Sequence, residues 1–293
     1  QPAYVSSYES VQQSLLAQVA AVGLDPETLA SYNATPLAAY RRINAATLRV
    51  DSSRAAEFEA LLRASGHQVY NNDRRKIIIP VPTKPEDADP SIWGAVTIAD
   101  NLKITNASQV QSIAEQRWGK PEMNPWQRLV RRVLHPFSSD EPVQPKIGVI
   151  DSGVDLSHPL LKRVKESKNV TSGPNVDDIG HGSWVTSMVL AYAPWAKNTT
   201  HYKTFVDGGA STDDILKALT AAANDGNLVI SNSWGDDEGD PAGPDALMVK
   251  KLAEEGHIMV FAAGNAGSGK NTVGAPAIVT YKDAATGAIR VLA

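Results

Sequence analysis

The chain has 293 residues, of which 42% are apolar, so it is long enough for one large or two ordinary domains. Its 28 basic and 32 acidic residues give a net charge of −4, which provides no electrostatic attraction to nucleic acid or to an acidic membrane. The longest run without Asp, Glu, Lys or Arg, residues 179–196, is shorter than the roughly 20 apolar residues that cross a bilayer and is interrupted by polar residues. We therefore expect neither nucleic acid nor a membrane as a partner.

Cysteine is absent, which excludes disulfides, cysteine-based metal sites and a thiol nucleophile. The sequence also contains N-x-[ST] sequons, which are acceptors of N-glycosylation in secreted proteins. They begin at Asn33, Asn106, Asn169 and Asn198. The sequons are a weak indication of a secreted or extracellular protein, and the alternative is that they are ordinary polar loops.

Residues 1–82 predict a small α+β module. Residues 1–40 are typical of helix and loop, and one helix face carries Val11, Leu15, Leu16 and Val19. A strand over 46–50, a helix over 54–64 and a second strand over 68–79 then predict a strand-helix-strand unit. Such a unit occurs in many ferredoxin-like modules.

Residues 83–145 predict a linker followed by an N-terminal extension of the next domain. Four prolines lie between 80 and 90 among acidic residues, a composition that resists regular structure. Residues 126–134 predict a helix whose arginines form a solvated basic face, with a dibasic processing site as the alternative. The tryptophans of this region are interpreted as buried anchors, namely Trp93, Trp118 and Trp126.

From residue 146 to residue 293 the pattern predicts a parallel sheet with helices on both faces. Apolar strands are predicted over 146–150, 201–206, 228–231 and 258–263, and amphipathic helices over 181–192, 212–224 and 244–255. Active sites of such sheets gather at the carboxyl ends of the strands. Asp151, residues 231–235 and Asn265 all follow such ends.

Three of these residues form a candidate catalytic set. Asp151 follows a buried strand and is suited to orienting the imidazole of His181, which begins a helix between two glycines. Asn265 presents a side-chain amide after another strand, as an oxyanion donor would. Each residue alone has an ordinary structural explanation, such as a turn, a helix cap or a polar loop.

The ordered motifs resemble those of the subtilisin-like serine proteases. The residues that carry the resemblance are Asp151-Ser152-Gly153, Gly180-His181-Gly182-Ser183 and Gly264-Asn265, against the family's D-[ST]-G, H-G-T-H and G-N. The resemblance implies an α/β fold, a serine endopeptidase activity, and roles for Asp151, His181 and Asn265 as orienting acid, base and oxyanion donor. Ser183 and Trp184 replace the family's Thr and second His, and we expect Trp184 to alter helix packing near the site.

The run Ser231-Asn232-Ser233-Trp234-Gly235 resembles the family's substrate-binding strand. The resemblance implies that Ser233, Trp234 and Gly235 bind the backbone of an extended peptide. The Trp234 side chain has two open interpretations: it lines a specificity pocket, or it packs in the core.

The strand-helix-strand unit of residues 43–69 is similar to the second half of subtilisin-type propeptides. Such propeptides assist folding and then inhibit the enzyme by placing their C-terminal tail in the substrate cleft. The resemblance therefore implies a zymogen that is processed by autoproteolysis, with residues 1–82 as the propeptide.

The family's nucleophilic serine, in a G-T-S-x-[AP] motif, has no counterpart in this sequence. Ser183, Ser187, Ser233 and Ser268 do not lie in such a motif, and residues 279–293 contain no serine. We expect residues 146–293 to be an incomplete catalytic domain whose serine lies on a companion chain or a missing C-terminal segment. The alternative is a non-catalytic pseudoprotease that serves as a peptide-binding or regulatory scaffold.

The resemblance implies a peptide or protein substrate and no required cofactor. Calcium is a ligand that the resemblance allows, although no group of residues is specific enough to name as its site. The sequence therefore assigns no metal ligand.

Overall fold

The structure, a computed structural model, describes residues 2–77, 102–103, 105–118, 120, 124–134, 145–196, 198–237, 239–267 and 269–293. The predicted proline-rich linker of residues 80–90, Trp93 and Ser268 lie outside the described residues. In the described part of the chain, no helix is long and apolar enough to cross a membrane.

The N-terminal region contains helices packed on a pair of antiparallel strands. The elements are α1 (Pro2–Ala21), α2 (Pro26–Ser31), β1 (Thr35–Tyr40), β2 (Ala45–Arg49) and α3 (Ser52–Ala64). Val19, Leu29 and Phe58 form the centre of their shared apolar cluster. The prediction of helix and loop up to residue 40 was wrong for β1. The register shifts between Pro36 and Ala38, an irregularity of the kind that lets a strand contain a proline.

The second strand of the predicted strand-helix-strand unit is shorter than expected and pairs elsewhere. β3 (Arg74–Ile77) does not join β1 and β2 but lies between β7 (Gly209–Ser211) and β9 (Trp234–Gly235), antiparallel to both. Its partners are more than a hundred residues away in sequence, so the local pattern does not contain the information that places it.

Between the N-terminal module and the large sheet, the described residues include two helices. They are α4 (Ala107–Trp118) and α5 (Pro125–Leu134), and the second confirms the predicted helix over 126–134. The prediction of Trp126 as a buried anchor was wrong, because its side chain is 70% exposed. The α4 side chain Gln111 donates to the carbonyl of Ala191 at 2.8 Å, which attaches α4 near the end of a helix of the next region.

The rest of the chain forms a six-stranded parallel sheet in the order β11-β10-β8-β4-β6-β5. Its strands are β4 (Lys146–Asp151), β5 (Val164–Asn169), β6 (Asn198–Lys203), β8 (Val229–Asn232), β10 (Ile258–Phe261) and β11 (Val291–Leu292). The helices are α6 (His181–Tyr192), α7 (Thr212–Asn224) and α8 (Pro244–Glu254). This arrangement confirms the predicted subtilisin-like α/β fold.

In the part of the chain that the structure describes, two apolar clusters border the sheet. The main cluster joins the sheet to α7 and α8 and includes the fully buried Leu219, Ile230 and Met259. A smaller cluster, which includes Leu161 and Leu190, packs under α6. The sequence analysis missed β5, because this edge strand reads Val-Lys-Glu-Ser-Lys-Asn and has no apolar run. It also placed β6 a few residues too late.

Candidate active site

The structure brings Asp151 and His181 together at one edge of the sheet. Asp151 is the last residue of β4 and is fully buried, and His181 is the first residue of α6 and is 8% exposed. The Nδ1 of His181 lies 2.7 Å from Oδ1 of Asp151. The same carboxylate oxygen accepts the backbone N–H of Ser152 at 2.7 Å, which fixes its orientation.

This contact defines which nitrogen of the imidazole is basic. A carboxylate only accepts hydrogen bonds, so Nδ1 of His181 is the donor and carries the proton. In the neutral ring Nε2 is then the basic nitrogen. The contact with Asp151 therefore sets the tautomer of the His181 ring and leaves Nε2 as the nitrogen that can accept a proton.

The start of α6 is held by Asp177, a residue that the sequence analysis did not single out. The helix cap itself is Gly180, which has a left-handed backbone (φ 78°) and no side chain to bond to the helix. The Asp177 side chain performs the capping that Gly180 cannot, because its carboxylate accepts the N–H groups of Gly180 at 2.9 Å and Ser183 at 2.8 Å. Burial disfavours the ionised carboxylate, but the hydrogen bonds from Ser183, Ser152 and Gly180 outweigh it and lower the pKa of Asp177.

Ser152 connects this cap to the strand that carries Asp151. Its hydroxyl donates to Asp177 at 2.8 Å and accepts the N–H of Gly182 at 2.9 Å. The residue after the candidate acid thus bonds to the residue after the candidate base. The two elements are locked together on either side of the Asp151–His181 contact.

Two glycines permit this close approach. A Cβ on Gly182 would lie 2.1 Å from the carbonyl oxygen of Gly153, and a Cβ on Gly153 would lie 2.5 Å from that of Val176. Gly153 also has φ +125°, which side chains disfavour. Both positions therefore require glycine, and the backbone contact between them sets how near α6 lies to β4.

His201 is a second buried histidine that the sequence analysis missed. It lies on β6 and is fully buried; its Nε2 accepts the N–H of Gly153 at 3.0 Å, and its Nδ1 lies 3.1 Å from the Thr186 hydroxyl. It therefore bridges the loop after Asp151 and the helix of His181. Burial lowers the pKa of His201 to about 4, so the ring is neutral at neutral pH. No sequence motif marks it, since only the fold brings β6 next to both elements.

Asn265 follows β10 at the same edge of the sheet. The register pairs Ile150 with Asn232 and Phe261 with Asn232, so β4, β8 and β10 end side by side. Asn265 is exposed beyond this edge and follows Gly264, whose φ of +108° turns the chain. The edge therefore carries all three residues of the candidate catalytic set.

The candidate substrate strand also begins at this edge, and its backbone is already paired. Trp234 and Gly235 form β9, and they pair antiparallel with Ile77 and Lys76 of β3. Ser233, between β8 and β9, is half-buried. The side chain of Trp234 is fully buried, with its ring centroid 5.4 Å from that of Phe261. Its side chain therefore packs in the core, while its backbone faces the neighbouring strand.

Trp184, at the position where the family has a second histidine, lies on the surface of α6. Its side chain is 53% exposed, and its ring centroid lies 6.0 Å from that of His181. The indole thus borders the candidate base and does not enter the core.

The side chains do not identify a metal site. Within the described residues, no group of three or more His, Cys, Asp or Glu side chains is placed to hold a metal ion. Calcium therefore has no assigned ligand here.

Part of the chain is similar to known proteins. The model described as "Subtilase family" matches residues 144–292. Subtilisin DY of Bacillus licheniformis is 35% identical over 149 residues, which are 45% of this chain and 52% of that protein. Pyrolysin of Pyrococcus furiosus is 38% identical over 98 residues, or 32% of this chain and 7% of that protein. The crystal structure of a lanthipeptide protease matches 45% of each chain at 30% identity with a TM-score of 0.39.

The match spans only part of these relatives, and this chain covers about half the length of subtilisin DY. The family model nevertheless matches half of the present chain, including Asp151, His181 and Asn265. The chain belongs to the subtilase family.

Proposed function

We propose that this protein is a serine endopeptidase in which Asp151 orients His181, His181 acts as general base and Asn265 stabilises the oxyanion. Membership of the subtilase family indicates a serine peptidase. The observation that carries the residue roles is the buried contact of 2.7 Å between Nδ1 of His181 and Oδ1 of Asp151. A histidine held in this tautomer is the base that a serine nucleophile needs.

The proposed chemistry follows from that tautomer. The Nε2 of His181 removes the proton of a serine hydroxyl as the oxygen attacks the peptide carbonyl, and later returns that proton to the leaving amine. Asp151 stabilises the imidazolium that forms in between. The side-chain amide of Asn265 donates a hydrogen bond to the negative oxygen of the tetrahedral intermediate.

We propose that the nucleophilic serine belongs to polypeptide outside these 293 residues, either a further segment or a companion chain. The serine hydroxyls around the start of α6 have other partners. That of Ser152 bonds to Asp177 and Gly182, that of Ser183 accepts the N–H of Asp155, and that of Ser187 donates to the carbonyl of Trp184. These contacts support the view that none of the three is the nucleophile.

Residues 1–82 are proposed to act as a propeptide, joined by residues 83–145 to the catalytic region of 146–293. The pairing of Ile77 and Lys76 with Trp234 and Gly235 supports this role, because it occupies the strand proposed to bind substrate. Extended peptides recognised by strand addition pair through the same backbone groups. The attached module would thus inhibit the enzyme until autoproteolysis releases it.

The proposed substrates are peptides or proteins outside the cell. One relative, 25% identical over 45% of this chain, is the minor extracellular protease Vpr of Bacillus subtilis. Its name supports our proposal that this protein is secreted.

The test uses the complete protein, purified from its source with any chain that accompanies it. We expect a fluorophosphonate probe to label a serine, and His181→Ala to abolish both labelling and peptide hydrolysis. Asn265→Ala should lower kcat about 100- to 1,000-fold. The control is Asn124→Ala, which removes an exposed cap of α5 and should leave kcat unchanged. An intact assembly that neither reacts with the probe nor cleaves any peptide contradicts the proposal and favours a pseudoprotease.

A further inference from the structure

An acidic pocket beside the candidate substrate strand is filled by an arginine of the chain's own N-terminal module. The guanidinium of Arg75 contacts Asp245 through Nε at 2.8 Å and Nη2 at 3.3 Å, and Asp236 through Nη1 at 2.9 Å. The Asp245 side chain is fully buried, and those of Arg75 and Asp236 are 14% and 19% exposed. The pocket is thus built around a planar, charged group.

Both carboxylates are oriented by the catalytic region itself. Asp236 accepts the N–H groups of Gly239 at 3.1 Å and Ala275 at 2.9 Å. Asp245 lies in the first turn of α8 and accepts the N–H of Ala246 at 3.0 Å, where the helix dipole also favours a negative charge. The catalytic region therefore orients both carboxylates, and β3 supplies the cation between them.

The register of β3 relates this pocket to the direction of a bound peptide. Arg75 pairs with Ala210 of β7, and Lys76 pairs with Gly235 of β9. Because β3 is antiparallel to β9, it runs from the partner of Gly235 to the partner of Trp234, toward the end of β8 where Asn232 pairs with Ile150 next to Asp151. A peptide bound in the place of β3 would put the residue in the pocket on the N-terminal side of the reacting bond.

We infer that the pocket of Asp236 and Asp245 is a specificity site that selects peptide substrates carrying arginine at the position of Arg75. This inference rests on the proposed peptidase function and names the substrate class of the same site. When β3 leaves, the carboxylate of Asp245 loses its partner Arg75. Removing one partner of a buried ion pair is strongly destabilising unless another cation replaces it. A substrate arginine supplies that cation when it lies immediately before the substrate residue that pairs with Gly235.

The geometry favours arginine over lysine. Asp245 accepts two N–H groups from the Arg75 guanidinium while Asp236 forms an ion pair with its third nitrogen, a pattern that matches the fixed fork of arginine. A lysine ammonium is a compact charge and cannot present the same planar set. Glutamine, which is neutral, would leave Asp245 uncompensated.

The first experiment measures hydrolysis by the complete protein. Fluorogenic peptides copy residues 70–82, with alanine in place of Arg74 and Lys76 so that the register cannot slip, and with Arg, Lys or Gln at position 75. We expect kcat/KM for the Arg peptide to exceed that for the Gln peptide about 10- to 100-fold. The Asp236→Asn variant should reduce this ratio. In an active protein, equal kcat/KM values for the two peptides would overturn the inference and leave the proposed function standing.

The second experiment does not need hydrolysis. Arg75→Ala should lower Tm, and millimolar N-acetyl-arginine amide should restore it by about 2–4 °C through binding to the folded state. N-acetyl-citrulline amide has a similar shape without the charge and should have no such effect. The matched control is Arg42→Ala, which removes a more exposed ion pair with Glu255. Its Tm should not respond to either compound.

The two experiments separate the possible failures. A protein that cleaves no peptide and binds no fluorophosphonate contradicts the proposed function, and the Tm of Arg75→Ala then decides whether the pocket binds arginine. A folded Arg75→Ala variant whose Tm responds equally to the arginine and citrulline compounds contradicts the inference that the pocket selects arginine. If Arg75→Ala does not fold, the kcat/KM values of the unaltered protein for the Arg and Gln peptides decide whether the pocket selects arginine.

Discussion

At the scale of single residues, the site depends on polar groups that are buried and individually oriented. Asp151 is fully buried and accepts hydrogen bonds from Ser152 and His181 through the same oxygen. His201 is equally buried and holds the loop after Asp151 through the N–H of Gly153. Such groups are costly to bury without partners, so each contact restricts the site to one arrangement.

The buried His201 predicts that stability falls in mild acid. Burial lowers its pKa to about 4, against 6.5 for an ordinary histidine. Between these pH values the unfolded chain binds a proton that the folded protein excludes, so stability decreases as pH falls through this window. The full difference corresponds to about 3 kcal/mol.

The measurement is the free energy of unfolding between pH 7 and pH 4. His201→Gln should lower stability at pH 7 and flatten its decrease toward acid, because no ring remains to be protonated. His158→Gln, at an exposed position, serves as the control and should keep the slope of the unaltered protein. The same slope in His201→Gln would show that other groups cause the acid sensitivity.

At the scale of elements, the start of α6 decides where the candidate base lies. The helix begins at His181 itself, so any fraying of its first turn would move the imidazole away from Asp151. The cap is supplied by Asp177 from the preceding loop, and Ser152 ties that cap to β4. The start of α6 and the contact between Asp151 and His181 are thus set by the same hydrogen bonds.

This dependence predicts a joint loss of stability and activity in Asp177→Ala. The variant loses the acceptor of the N–H groups of Gly180 and Ser183, which should cost about 1–2 kcal/mol of stability. It should also lower the kcat of the complete protein, because the His181 ring is less well held. Thermal unfolding and peptide hydrolysis measure the two effects.

Asp25→Ala is the matched control for this helix cap. Asp25 caps α2 through the N–H groups of Glu27 and Thr28, within the N-terminal module. Its removal should cost a similar or smaller amount of stability without changing kcat. If Asp177→Ala also left kcat unchanged while destabilising the protein, the cap would have no role in orienting His181.

At the scale of the whole molecule, the N-terminal module is attached to the catalytic region by hydrogen bonds as well as by β3. The Tyr40 hydroxyl donates to the side chain of Asp213 at 2.6 Å, and Asn72 accepts the N–H of Asp213 at 2.9 Å. Thr212 donates its N–H to the carbonyl of Asp73 at 2.9 Å. The module therefore binds the first turn of α7, where the N–H groups of a helix lack internal partners.

The Tyr40 contact predicts how firmly the module is held. Burial and the charge of Asp213 raise the pKa of Tyr40 far above its usual range, so its hydroxyl remains a donor at any ordinary pH. Tyr40→Phe should weaken docking by about 1–2 kcal/mol, or roughly 10-fold. Amide hydrogen exchange of β3 should become faster by a similar factor.

The control for this prediction is Tyr32→Phe. That tyrosine bonds to Glu57 within the N-terminal module and does not reach α7. Its loss should leave the exchange of β3 unchanged. Exchange in Tyr40→Phe as slow as in the unaltered protein would mean that the hydroxyl does not contribute to docking.

Local sequence signals predicted the parts of the fold that carry their own pattern. The helices over 181–192 and 212–224 agree with the structure to the residue, because Gly180 and Ser211 precede their starts and Pro194 and Gly226 follow their ends. The apolar strands that became β4 and β10 were also predicted. β1 and β5 were missed, since a proline-containing strand and a polar edge strand become strands only through their partners.

By itself, the sequence determined the fold class, the family and the edge of the sheet where Asp151, His181 and Asn265 lie. Short motifs carry this information, because each joins a strand or helix end to a chemically specific side chain. Only the tertiary structure decided that Asp177 caps α6, that His201 bridges β4 and α6, and that β3 places Arg75 between Asp236 and Asp245. These contacts join residues from separate elements, and a hydrogen bond or ion pair depends on distances that only the folded chain fixes.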